Sequence, residues 1–207
     1  MPILILVVSL SIGFIILKHF RNKGYGKEFE DYVKEEIAAN AVKSKEIEPE
    51  LYFVPGLSGL PVRADDGAED SPALRRQREA LKRAQKKMIR LPAPMTNTEL
   101  KFKYGTVNIE IISEYEENFF TYIYALNGWA EALLEEGDEA GAERVLYHAV
   151  TAGAETSKTF TMLADIYYKN GDVQAMRELY GLVNGRNMPA QDKIWQYVNE
   201  YYIKMGC

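Results

Sequence analysis

The sequence predicts an all-α protein: an N-terminal transmembrane helix, a linker, and a short α-solenoid of antiparallel helix pairs. Three observations carry that prediction. Residues 2–17, PILILVVSLSIGFIIL, hold no charge. Gly137-Asp138 and Gly171-Asp172 stand 34 residues apart inside matching apolar patterns. Ahead of those patterns lies a stretch punctuated by proline and glycine, with no period of its own.

Sixteen helical residues cover about 25 Å, the short end of what a bilayer core requires. A secretory signal opens on a basic segment and closes on a small-residue cleavage site. Here no Lys or Arg precedes the apolar run, and Lys18-His19-Phe20-Arg21-Asn22-Lys23 follows it. The expectation is an uncleaved single-pass anchor over residues 1–20. Lys18, Arg21, Lys23 and Lys27 lie after the span, so the positive-inside bias places the C-terminal side in the cytoplasm. The reverse orientation would make the same domain an extracytoplasmic, chaperone-like protein.

Residues 21–71 divide into an amphipathic helix and a linker. Phe29, Tyr32, Val33, Ile37 and Ala41 recur at helical spacing over residues 26–44, opposite Glu28, Asp31, Lys34 and Glu35. An acidic polar side suits a packing face better than a membrane-lying one. From Pro49 to Asp70 the period is lost, and Ala64-Asp65-Asp66-Gly67-Ala68-Glu69-Asp70 reads as flexible linker.

A second helix is expected over residues 72–91. Ser71 caps it, and Pro72 takes the first helical position. It carries Arg75, Arg76, Arg78, Lys82, Arg83, Lys86, Lys87 and Arg90 against one acid, Glu79. Leu74, Leu81, Ala84 and Met88 form a narrow apolar stripe, interrupted by Gln77. Such a basic patch suits anionic lipid or nucleic acid. Nucleic acid is the weaker option, since no aromatic interleaving accompanies the charges. The alternative is a solvated face on a helix that docks its stripe on the repeats. Residues 92–122 are expected to add N-terminal capping helices, broken at Tyr104-Gly105.

The repeat region runs over residues 123–207. Its first unit reads Leu126-x2-Trp129-Ala130-x2-Leu133-x3-Gly137-Asp138-x3-Ala142-x3-Leu146-x2-Ala149. The second reads Phe160-x2-Leu163-Ala164-x2-Tyr167-x3-Gly171-Asp172, then Met176, Tyr180 and Val183. A third, partial match through Trp195, Val198, Asn199, Tyr202 and Gly206 is offset by one residue and reads as a capping helix. Small Ala130 and Ala164 allow close helix approach. Gly137 and Gly171 suit left-handed helix ends, and Asp138 and Asp172 suit caps of the helices that follow.

This pattern resembles the tetratricopeptide repeat family over about 40% of the chain. The resemblance implies a concave groove lined by the first helix of each pair, for a peptide or helix of a partner protein. At the family's groove offsets stand Tyr124, Asn127, Glu131 and Leu134, then Lys158, Thr161, Asp165 and Tyr168. The resemblance therefore implies an adaptor or scaffold rather than an enzyme.

Composition agrees with a non-catalytic reading. No nucleotide-loop, nucleophile-elbow or metalloprotease motif occurs, and the two histidines, His19 and His148, stand apart. Cys207 is the single cysteine, so neither an intramolecular disulfide nor a thiolate metal cluster can form. No cofactor or metal is expected. From Thr106 onward there are 16 acidic and 7 basic residues, a net charge of −9 in a chain of net charge −5. The preceding part is thus basic, which favours an anionic membrane surface for that part alone.

Overall fold

A computed structural model describes residues 25–64, 70–186, 188–189 and 191–207. Eight helices dominate these residues: α1 (Tyr25–Asn40), α2 (Pro72–Ala84), α3 (Asn97–Tyr104), α4 (Thr106–Glu135), α5 (Glu139–Ala152), α6 (Ser157–Asn170), α7 (Val173–Gly185) and α8 (Gln191–Lys204). Two short strands, β1 (Tyr52–Phe53) and β2 (Met88–Ile89), pair antiparallel with Tyr52 opposite Ile89 and Phe53 opposite Met88.

The predicted anchor over residues 1–20 lies outside the described residues. Among the described residues no helix is long and apolar enough to cross a membrane. Even α4, with 30 residues, carries Glu110, Glu114, Glu116, Glu117 and Glu131 along its length. Over the described residues, therefore, the structure is all-α without the expected membrane-spanning helix, and the single-pass location expected from it has no support there.

The chain divides into two compact units. The first takes in α1, the 3₁₀ turn Pro49–Leu51, α3 and the first turns of α4. Thr96 opens α3 with a capping box shared with Glu99. Glu36 of α1 accepts from Thr98 Oγ1 at 2.9 Å and forms an ion pair with Lys101. Ala39, Leu100, Tyr104 and Ile112 are buried here. The Tyr104-Gly105 break predicted from sequence falls between α3 and α4. Gly105 has φ +80°, and a Cβ there would lie 2.7 Å from Lys43 O.

The second unit comprises Tyr52–Arg90 and Glu114–Cys207. Its core is built from α4 to α8. After α4, Gly137 takes φ +82°, and the Asp138 N–H donates back to Leu133 O at 2.8 Å. Asp138 then caps α5 by accepting from Gly141 N at 2.8 Å. The same turn recurs after α6: Gly171 at φ +65°, Asp172 N–H to Tyr167 O at 2.9 Å, and Asp172 Oδ1 accepting from Ala175 N at 2.9 Å. Each helix reverses in two or three residues because glycine enters the left-handed region without a Cβ clash.

Burial follows the 34-residue step through three helices. Leu126, Phe160 and Ile194 are each 0% exposed, and so are Ala130, Ala164 and Val198. The one-residue offset read in the third unit belongs to its termination, not its packing. Gly206 has φ +72°, and the Cys207 N–H donates to Tyr202 O, so α8 ends one residue later than α6 does. Ile194, not Trp195, faces the core.

Two further expectations change. The 30 residues of α4 run unbroken from the presumed capping region into the first repeat, because Ile112, Phe119, Tyr122 and Ile123 are buried along it. The linker is structured beyond Leu51: Phe53 packs edge-on against Phe119 with centroids 5.2 Å apart. Residues 65–69 lie outside the described residues.

Gly137→Ala and Gly171→Ala leave room for the added methyl, so their cost is backbone strain alone. Each is expected to lower unfolding free energy by about 1 kcal/mol. Gly105→Ala, blocked by Lys43 O, is expected to cost more than either. Urea denaturation of the three variants checks the order.

Candidate partner-binding face

The eight residues at groove offsets do not share one environment. Tyr124 projects from α4 and is 63% exposed. Asn127, on the next turn, is 2% exposed. Its Nδ2 donates to Thr156 Oγ1 at 3.0 Å, and Thr159 Oγ1 donates to its Oδ1 at 2.9 Å. Asn127 is therefore part of the α4–α6 interface, where a buried amide must be paired, and it leaves the exposed face. Leu134 is half-buried against the core.

Glu131 and Lys158 form an ion pair between α4 and α6 at 2.7 Å, with both side chains half-exposed. A pair so exposed to water is worth about 0–1 kcal/mol, so an incoming group can exchange with either member at small cost. Thr161 is half-buried, its hydroxyl donating to Lys158 O at 3.2 Å.

The remaining two positions meet α8. Tyr197 donates from its hydroxyl to Asp165 Oδ1 at 2.8 Å. Tyr168 stacks on Tyr201 with centroids 4.4 Å apart and planes at 10°. Tyr197 meets Tyr201 edge-on at 5.2 Å, and the Lys204 ammonium lies 5.5 Å from the Tyr201 ring centre. Tyr168 stays 42% exposed. Tyr197 and Tyr201 were missed by the groove offsets, although their spacing of four marks one helical face.

The predicted basic patch is dispersed. Helix α2 stops at Ala84, so Lys86, Lys87 and Arg90 do not extend its face. Asp70 pairs with Arg75 at 3.2 Å and Arg78 at 2.6 Å, while Glu79 pairs with Arg76 at 3.2 Å and Arg83 at 3.6 Å. Lys86 donates to Asn118 Oδ1 at 3.1 Å. The Arg90 guanidinium lies so close to Gly153 that a Cβ there would clash with it. Lys82 and Lys87 are exposed.

Helix α2 buries Ala73, Leu74, Gln77 and Ala80; of the expected stripe, Leu74 and Met88 are buried, and Leu81 and Ala84 are half-buried beside them. Gln77, read as an interruption, is 3% exposed. Its Oε1 accepts from Arg63 N and its Nε2 donates to Arg63 O, both at 2.8 Å. The Arg63 guanidinium in turn bridges Glu136 at 2.7 Å and Asp138 at 2.9 Å. The Gly141 N–H and then Arg63 hold the Asp138 carboxyl below its usual range. Segment 60–63 is thus fastened to α2 on one side and to the α4–α5 turn on the other.

A cavity of about 390 Å³ opens between α2 and α4. Arg75, Arg76 and Glu79 line one wall; Gly128, Glu131 and Glu135 line the other. A shallower hollow between α5 and α7 is lined by Tyr147, Leu182 and Arg186.

His148 sits within α5, its Nε2 2.8 Å from the Tyr122 hydroxyl. Burial lowers the histidine's pKa and pushes the tyrosine up to about 12. This pair is a half-buried polar contact between α4 and α5. No group of three or more metal-ligating side chains comes together among the described residues.

No family model matches the chain, and no curated protein sequence or solved structure matches it significantly. The likeness to tetratricopeptide repeats rests on the residues and their spacing alone.

Gln77→Leu leaves both backbone groups of Arg63 without their amide and is expected to destabilise the second unit by about 2 kcal/mol. Urea denaturation checks it. His148 gives a pH signature. Its folded pKa is depressed, so its contribution is fully present above the ordinary histidine value of about 6.5 and is lost as pH falls through the folded one. Stability is expected to fall between pH 7 and pH 5, and His148→Gln to flatten that part of the denaturation profile.

Proposed function

We propose that the helical array of residues 114–207 is a protein-interaction module, an adaptor that takes a peptide or helix of a partner protein. The face runs from Tyr124 through the Glu131–Lys158 pair to the tyrosines at the α6–α8 contact. One observation carries the reading. Tyr124 and Tyr168 expose large aromatic rings on α4 and α6, whose inward faces are packed, with Leu126 and Phe160 at 0% exposure. Tyrosine rings lose little side-chain freedom on binding and dominate the energetics of many interfaces, and Tyr168 is already stacked on Tyr201. The mixed charge of Glu131, Lys158 and Asp165 suits polar recognition around those anchors. The repeat-like spacing supports the same reading, because the resemblance places a ligand groove on these helices.

The paired arginines of α2 leave the basic helix without an assigned ligand. Asp70 and Glu79 already neutralise much of what an anionic surface would contact.

The test is affinity capture with crosslinking by the full-length chain beside a Tyr124→Ala/Tyr168→Ala variant. The variant is expected to keep its helical circular dichroism and lose at least one partner recovered with the native chain. A partner set identical in both would sink the assignment of this face.

A further inference from the structure

The C-terminal end of α5 gathers more positive charge than it uses. Gly153 closes the helix in the left-handed region, at φ +102°, and its N–H donates to Val150 O at 3.1 Å. Arg186, just past the end of α7, donates from Nη2 to the same carbonyl, also at 3.1 Å. A carbonyl oxygen has two lone pairs, and here both are taken. The Arg90 guanidinium lies against the same turn, so close that a Cβ at Gly153 would run into its Cζ, Nη1 and Nε. Two guanidinium groups thus reach one helix end from distant parts of the chain.

A cation at a helix C-terminus is favourable, and one arginine suffices for that. The second has no such explanation. Arg186 Nη1 is buried and has no hydrogen-bond partner. Arg90 makes no hydrogen bond or ion pair among the described residues. A guanidinium keeps its charge, so it cannot escape burial by losing a proton. Buried polar groups are nearly always paired, and an orphaned one points to a missing ion or water. Burial first, and then the charge of Arg90, hold the Arg186 pKa below its usual range, while Glu155 opposes them. Glu155 is a neighbour, yet it forms no ion pair with either arginine. Arg90 is exposed and Arg186 lines the hollow between α5 and α7, so solvent reaches both side chains although it does not reach Nη1.

We propose that Arg90 and Arg186 form a binding site for a carboxylate group. The carboxylate takes the free fork of Arg90 and accepts from Arg186 Nη1, which a rotation of the Arg186 side chain brings out of its buried position. Its charge offsets the repulsion between the two guanidinium groups and supplies the acceptor that Nη1 lacks. A single negative charge suits the place better than a doubly charged phosphate, because the carbonyl end of α5 and Glu155 repel each added charge. The site is built on the ends of α5 and α7 and on Arg90, whereas the proposed interaction face lies on α4, α6 and α8. It therefore goes beyond the interaction reading and does not rest on it.

The experiment uses the full-length chain labelled with 15N at arginine, at neutral pH and fixed ionic strength. The Nε–H peaks of Arg90 and Arg186 are identified as those missing from Arg90→Gln and Arg186→Gln variants. Sodium acetate, sodium phosphate and methylammonium chloride are exchanged for sodium chloride in turn. Acetate is expected to move both peaks saturably and to leave the peak of Arg144, an exposed arginine of the same helix, in place. Phosphate is expected to bind more weakly and methylammonium not at all. Each single variant is expected to weaken acetate binding at least tenfold, read on the peak of the arginine that remains. Acetate is also expected to raise the melting temperature of the native chain and not that of the double variant.

An arginine pair with a purely structural role would change stability on substitution and give no response to acetate, and that result would overturn the proposal. So would equal movement of the Arg144 peak, which marks general anion attraction, or unchanged acetate affinity in either variant. Tighter binding of phosphate than of acetate would overturn the assignment to a carboxylate. The titration of the native chain decides the first two outcomes whatever the variants do to folding.

Discussion

Two backbone reversals govern the second unit. Gly137 and Gly171 each adopt a conformation that a Cβ opposes, and each is followed by an aspartate whose carboxylate caps the next helix. The reversal is so short that the two helices it joins must lie side by side. Side-by-side helices need a small residue at the point of closest approach, and Ala130 and Ala164 supply it. The larger neighbours Trp129, Leu133 and Leu163 then fill the space on either side, each at 1% exposure or less. Turn chemistry and core composition are thus one constraint seen twice.

Asp138 does more than cap. Its carboxylate also receives Arg63, which shares the guanidinium with Glu136 and is itself fixed through its backbone by Gln77. A single turn therefore connects the repeat-like array to a segment some 75 residues earlier in the chain. Segment 52–63 brings Phe53 and Leu60 onto the hydrophobic core and pairs β1 with β2. What reads as linker composition becomes a strap because three local features on other elements hold it down.

The candidate face follows from what the packing leaves over. Positions that a repeat-like pattern assigns to a groove are sorted by neighbouring helices. Asn127 goes inward, where Thr156 and Thr159 satisfy it. Asp165 and Tyr168 are held by Tyr197 and Tyr201. Tyr124 stays open. The result is a face that joins the open Tyr124, the exposed Glu131–Lys158 pair and the Tyr168 ring stacked on Tyr201.

The sequence by itself determined the features whose causes lie within a few residues of each other. These include the glycine-aspartate turns, the cap at Ser71, the break at Tyr104-Gly105, and the 34-residue burial period. A turn closed by a bond from Asp138 N to Leu133 O is written in six consecutive residues. Tertiary structure alone decided that Gln77 is a buried clamp, that Asn127 is a core amide, and that α4 runs unbroken for 30 residues. It also decided that Ile194 rather than Trp195 continues the period, and that Gly128 opens onto a cavity. Those outcomes depend on partners 14 to 75 residues away or on other helices. A glutamine, an asparagine or a mid-helix glycine carries no local mark of which neighbour will arrive. Their roles were fixed only when the helices met.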